Sequence, residues 1–253
     1  MKKSFLNTSV PFITEMVQGK TAKQSKEKIE KAILGGATAI GLQLHVMPEE
    51  EKSKEKLIDL FSSTKNLPLY VTNYRGDKNQ GKSDDELADG LLLALDYGAT
   101  LVDVMGDIFN PSKEELTMDE TAIKKQMALI DKIHARGGEV LMSSHIQEFR
   151  SKERVLEIAL EQQRRGADIV KIVTGANTPE EEIKNLEICV MLKKELKVPF
   201  LFLSGGSNNY VHRTVGPKLG VSMWLCFSEY DETTYPGPPL LKDVIKLKEG
   251  LKI

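Results

Sequence analysis

The stretch Ala167-Asp168-Ile169-Val170-Lys171-Ile172-Val173-Thr174-Gly175 sets one amine inside a run of apolar, mostly β-branched residues. Without Lys171 the run reads as a strand buried on both faces, entered after Gly166 and ended by Gly175. An ammonium there is costly unless it is paired or has lost its proton. Burial favours the neutral amine, which attacks ketones and aldehydes, so Lys171 is the candidate Schiff-base former. The bland alternative is a strand-end lysine that snorkels to solvent. His145 is the second candidate. Alternation along the preceding strand puts Leu141, Ser143 and His145 on one face, so the imidazole leaves at the strand's end. Imine chemistry needs a proton shuttle that titrates near neutral pH, and a histidine beside a buried lysine supplies one.

These residues act only if the fold brings them together. Candidate strands cover 10–17, 37–44, 67–74, 100–105, 138–144, 167–175, 198–203 and 220–226. Helical patterns cover 23–34, 48–63, 84–97, 119–136, 152–165, 179–196 and 211–218, with a last helix ending near Lys248. Strands alternating with helices at the length of one βα unit predict an α/β fold, a single (β/α)8 TIM barrel over residues 1–253. A doubly wound sheet is the competitor. It would want a glycine-rich phosphate loop after the first strand, where Glu15-Met16-Val17-Gln18-Gly19-Lys20 has too few glycines.

A barrel collects its chemistry at the C-terminal ends of its strands. The polar residues there are Thr14, Glu15, Gln43, His45, Asn73, Arg75, Asp103, Ser143, His145, Lys171 and Ser204. Thr14, Asp103 and Ser204 read by default as helix caps. His45 and His212 lie near the mouth as possible binders, and His134 falls on a helix without a role.

Composition narrows the partners. With 253 residues, 40% of them hydrophobic, the chain can bury a sizeable core. A net charge of −2, from 35 basic against 37 acidic residues, gives no global attraction to nucleic acid or anionic lipid. Cys189 and Cys226 sit in apolar surroundings without metal-ligand spacing, which suits buried thiols in a cytoplasmic protein. The start, Met1-Lys2-Lys3-Ser4-Phe5-Leu6, lacks the apolar core of a signal peptide, and no run has the length of a membrane span. No metal or cofactor is expected. A small keto acid is the expected partner, with a homodimer as the possible assembly.

Met142-Ser143-Ser144-His145 followed by Gly166-Ala167-Asp168-Ile169-Val170-Lys171-Ile172 resembles the type I 3-dehydroquinate dehydratase family. The resemblance implies a (β/α)8 barrel in which Lys171 forms the imine and His145 is acid and base. It extends through Val211-His212-Arg213, making Arg213 the carboxylate binder, and through Val71-Thr72-Asn73-Tyr74-Arg75, making Arg75 a substrate contact. Tyr235-Pro236-Gly237 resembles the family's closing loop, with Thr234 beside it as a binding residue; Ser204 joins the binding set from the seventh strand. Some positions depart. Where the family carries a glutamate and an arginine after strand two, Gly41-Leu42-Gln43 offers one amide. The glutamate that orients the family's histidine falls at about Asn79, and a closing-loop glutamine becomes Pro238.

The leading expectation is a Schiff-base β-elimination of water from a carboxylated cyclic β-hydroxy ketone. A class I aldolase remains open, since Ser204-Gly205-Gly206 would suit a phosphate held by backbone N–H groups, although Phe227-Ser228-Glu229 would repel it. A barrel that binds a ligand without turning it over is the reading from another class.

Overall fold

Fold and core were built by the local rules just described, as a computed structural model of residues 4–6, 9–235 and 237–253 shows. Met1–Lys3 of the N-terminal segment and Pro236 of the closing loop, both read above, lie outside these described residues. Eight strands, β1 (Phe12–Val17), β2 (Ala39–Gln43), β3 (Leu69–Thr72), β4 (Leu101–Met105), β5 (Glu139–His145), β6 (Ile169–Gly175), β7 (Phe200–Gly205) and β8 (Met223–Cys226), alternate with helices. These are α1 (Ala22–Leu34), α2 (Lys54–Ser62), α3 (Asp84–Tyr97), α4 (Glu120–Ala135), α5 (Lys152–Arg164), α6 (Pro179–Glu195), α7 (Tyr210–Val215) and α8 (Leu241–Leu251).

The strands pair in parallel in the order β7-β6-β5-β4-β3-β2-β1-β8. Among the described residues β8 and β7 share a single bridge, Phe200 with Val221, where the Ser222 N–H donates to the Phe200 carbonyl at 2.9 Å. The result is a (β/α)8 barrel closed at its N-terminal end and left open as a seam toward its mouth. No helix among the described residues is long and apolar enough to cross a membrane.

Local chemistry accounts for the ends. Ser83 and Glu86 form a capping box at the start of α3, and Gly98 at φ 122° ends it. The helix expected from Pro48 begins later. Glu49–Glu51 make a short 3-10 turn, and Ser53 caps α2 by accepting from the Lys56 N–H. Strand β8 starts three residues after the expected Gly220, because that glycine occupies a turn at φ 117°.

Alternation then sorts the side chains. Ile40, Leu42, Val102, Val104, Val140 and Met142 face the helices and pack with residues such as Ile29, Leu91 and Ile133. Met16, Tyr70, Leu101, Leu141, Ile169, Leu201 and Met223 fill the barrel. Fully burying one such side chain contributes roughly 2 kcal/mol, so a charged residue at an inward position needs a partner. Asp103 and Lys171 occupy two of those positions.

Candidate active site

Lys171 and Asp103 compensate each other. Lys171 is 5% exposed and Asp103 2%, and Lys171 Nζ lies 3.1 Å from Asp103 Oδ2. Of the two solutions to burial named above, the structure shows Lys171 paired. Lys171 Nζ also donates to the Tyr74 hydroxyl at 2.7 Å and the Tyr70 hydroxyl at 3.1 Å. Both phenols donate in turn to Asp103 Oδ2, and Ser143 Oγ donates to Oδ1. Burial alone would raise the Asp103 carboxyl, but the charges of Lys171 and His145, with the hydrogen bonds from Ser143 and Tyr70, hold it below its ordinary value. Burial and the Asp103 charge push both phenols well above theirs, so they remain protonated donors. The helix-cap reading of Asp103 fails: Asp119 caps the helix that follows β4.

Register sets His145 above this cluster. Ser143 is level with Lys171, and His145 is level with Val173, one pleat nearer the mouth. Its Nδ1 lies 2.8 Å from Glu115 Oε2, which also accepts the His145 backbone N–H at 2.9 Å. That leaves Nε2 for a substrate. Burial would raise the Glu115 carboxyl, yet the hydrogen bond and charge of His145 keep it below the usual range. The carboxylate beside the histidine thus comes from the loop between β4 and α4, not from the Asn79 position. Asn79 is buried elsewhere, where its amide donates to Asn73 Oδ1 and the Tyr74 carbonyl and its oxygen accepts from Lys52.

A cavity of about 450 Å³ opens at the mouth over these groups, lined by Lys171, His145, Glu115, Tyr74, Arg75 and Arg213 among others. Arg213 is 9% exposed; its Nε donates to the Ser204 carbonyl at 2.7 Å, and it makes no ion pair among the described residues. Its remaining N–H groups form an unneutralised fork, suited to a carboxylate. Arg75 differs. Asp84 holds it through Nε and Nη2 at 2.8 Å each, and Asp107 holds Nη1 at 2.7 Å, so most of its donors are occupied.

Gln43 lines the cavity and accepts from Gln18 Nε2 at 2.7 Å. His45 is a further wall residue: burial lowers it to about 4 despite Asp77 nearby, and its Nδ1 accepts the Tyr74 N–H. Ser204, Thr234 and Asn79 do not line the cavity. Ser204 Oγ accepts from Asn185, and its N–H donates to His212 Nδ1, so it neither caps a helix nor offers that N–H to a phosphate. Thr234 Oγ1 donates to the Asp231 carbonyl within the closing loop. His212 is buried beside Cys189 without lining the cavity, and burial lowers it to about 3.

The departures have physical reasons. A Cβ on Gly41 would lie 2.4 Å from Met16 Sδ and 3.3 Å from a Tyr70 ring carbon. Methionine and tyrosine fill the volume that a longer side chain would need. Pro238 is buried behind the wall, its carbonyl accepting from the Tyr230 hydroxyl. The loop before α8 is tied to α1 by Lys28 reaching Asp231 at 2.7 Å and Lys31 reaching Glu229, and to the segment ahead of α1 by Lys20 reaching Glu232 at 2.7 Å. At its root Glu15 accepts the Ser228 N–H at 2.7 Å, and burial raises that carboxyl to about 7.

Comparison places this geometry among known proteins. The Type I 3-dehydroquinase family profile matches residues 14–249. A 3-dehydroquinate dehydratase of Klebsiella pneumoniae is 30% identical over 202 residues, covering 78% of this chain and 73% of that one. Its counterpart in Alkaliphilus oremlandii is 32% identical over 132 residues, 51% of this chain and 50% of that one. The crystal structure of 3-dehydroquinate dehydratase from Geobacillus kaustophilus superposes with a TM-score of 0.83 at 17% identity, covering 96% of this chain and 92% of that one. The type I enzyme of Clostridium difficile, solved with covalently modified comenic acid, gives 0.80 at 20% identity over 95% and 92% of the two chains. With a profile match across nearly the whole barrel, the chain belongs to the type I 3-dehydroquinase family.

Proposed function

We propose that the protein is a hydro-lyase that removes water from 3-dehydroquinate or a closely related carboxylated β-hydroxy ketone through an imine on Lys171, in the shikimate pathway. One observation carries the reading: a buried lysine amine opens into the same cavity as His145, from the adjacent strand and one pleat deeper. The free amine attacks the ketone and water leaves, giving an iminium. His145 Nε2 takes the proton from the neighbouring carbon, and the C–H electron pair forms the enamine. The enamine expels the β-hydroxyl, which takes the proton from His145 and departs as water. Hydrolysis of the unsaturated iminium restores Lys171 and releases the enone. Glu115 steadies the imidazolium while it carries that proton. Arg213 holds the carboxylate, while Gln43, with His45, reads ring hydroxyls. Arg75 takes part at the rim through the little donor capacity that Asp84 and Asp107 leave it. Asn79, Ser204 and Thr234 serve the substrate indirectly, each by holding a neighbouring segment.

A cytoplasmic location agrees with two buried free thiols, and assembly as a homodimer belongs to the same reading. An aldolase is less well supported, because the Ser204 N–H that would cradle a phosphate is already bonded to His212.

The test is borohydride reduction with 3-dehydroquinate, followed by mass spectrometry. Wild type should gain the reduced adduct at Lys171, and Lys171→Ala should gain none. Turnover without any trapped lysine would overturn the imine mechanism, and an adduct on another lysine would overturn the site.

A further inference from the structure

The amine must shed a proton before it can attack, and the structure supplies two phenols that could take part. Tyr70 and Tyr74 make the same pair of hydrogen bonds, each accepting from Lys171 Nζ and donating to Asp103 Oδ2. Their surroundings differ. Tyr70 is fully buried beneath the amine, whereas Tyr74 lines the mouth cavity. The Tyr74 ring stands between two imidazoles, its centroid 5.0 Å from that of His45 and 5.2 Å from that of His145, the latter pair nearly perpendicular. Its backbone is also anchored on both sides, the N–H by His45 and the carbonyl by Asn79. The hydroxyl is therefore fixed between nucleophile and carboxylate, on the side from which a substrate arrives.

We propose that Tyr74 is a catalytic residue, whose phenol oxygen carries the proton between Lys171 Nζ and Asp103 during imine formation. The proposal rests on the imine reading above. In the first step the ammonium gives one proton to the Tyr74 oxygen as the phenol proton passes to Asp103, leaving a neutral amine, a neutral phenol and a protonated carboxyl. The amine lone pair then forms the C–N bond, and the carbonyl π pair moves to oxygen. That oxygen takes a proton from the nitrogen, giving a neutral carbinolamine. For dehydration Tyr74 donates its proton to the carbinolamine hydroxyl and is refilled from Asp103. Water leaves, and the nitrogen lone pair closes the iminium. Asp103 ends as a carboxylate beside a cation, as it began. Tyr70 contributes to holding the pair but faces no substrate atom.

Acetylacetone tests this without requiring the natural substrate, because a reactive lysine amine and a 1,3-diketone condense to an ultraviolet-absorbing vinylogous amide with loss of water. With wild type the band should grow and map to Lys171. Tyr74→Phe should slow its growth by about 10²-fold, the usual worth of a placed acid–base group, while Tyr70→Phe stays close to wild type. A Tyr74→Phe rate equal to wild type would overturn the relay, as would an equal loss in both variants. A measurement on wild type alone guards against a variant that folds poorly. The rate in mixtures of light and heavy water should bow downward with deuterium content, the mark of two protons in flight. A straight line would mean one proton passing directly to Asp103 and would overturn the proposal. Absence of any adduct in wild type would overturn the imine reading itself, and the relay with it.

Discussion

Glu115 holds a left-handed backbone, φ 47°, which in a non-glycine residue costs of order 1–3 kcal/mol. The conformation lets its carbonyl accept from Ser144 Oγ while its carboxylate accepts twice from His145. Glu115→Gln keeps an acceptor but loses the charge that balances the imidazolium. It should lower kcat by about 10- to 100-fold with little change in KM, read by steady-state kinetics on 3-dehydroquinate. Arg213→Lys keeps a charge but loses the planar fork, and should raise KM for a carboxylated substrate about tenfold, equivalent to about 1.4 kcal/mol. Lys171 and His145 were legible because strand alternation and neighbouring strands fix both. Asp103 carried the same signal, inward with Leu101 and Met105, and alternate strands of a barrel share a layer. The cap reading obscured it. Tyr74 shared the alternation of Tyr70 in the expected strand 67–74 but was not singled out, although the observed β3 stops at Thr72. Glu115 lies beyond the end of β4, where no periodicity says which way a side chain turns.

Between elements, the lysines of α1 do more than solvate a helix face. Lys28 and Lys31 meet acidic residues of a loop two hundred residues away, a partnership that only barrel closure creates. That loop brings Gly237 against Arg213 and Tyr235 to the cavity wall. Lys28→Ala should therefore raise KM severalfold at low ionic strength, with the difference from wild type fading as salt is added. Its thermal midpoint should change little, since exposed and half-exposed ion pairs contribute at most about 1 kcal/mol. A KM untouched by the substitution at any salt would show that the clamp does not set loop position. The helices were legible wherever a capping residue stood at the right place, as at Ser83 for α3. They were misjudged where Pro48 looked like a start but Ser53 supplied the cap.

For the molecule as a whole, two buried neutral histidines set a limit in acid. His212 titrates at about 3 in the fold against an ordinary 6.5, and His45 at about 4, in both cases because burial disfavours the charge. Between those values and 6.5 the unfolded chain binds protons that the folded chain refuses, so stability falls as pH falls through that window. For His212 the loss is on the order of 3 kcal/mol between pH 6.5 and 4, and His212→Gln should flatten the urea-unfolding profile there by a similar amount. The barrel itself was legible from its repeated βα period. Its incomplete closure was not, since β8 has the same apolar composition as strands paired on both sides. At that seam His212 and Arg213 bond the N–H and carbonyl of Ser204, standing in for the strand that β7 lacks. The anion site proposed at Arg213 thus lies beside a gap of the hydrogen-bonded wall. In native-state hydrogen exchange, amides of β8 that point toward β7 should trade with solvent deuterium sooner than those facing β1, so the first part of the wall to breathe is the part beside Arg213.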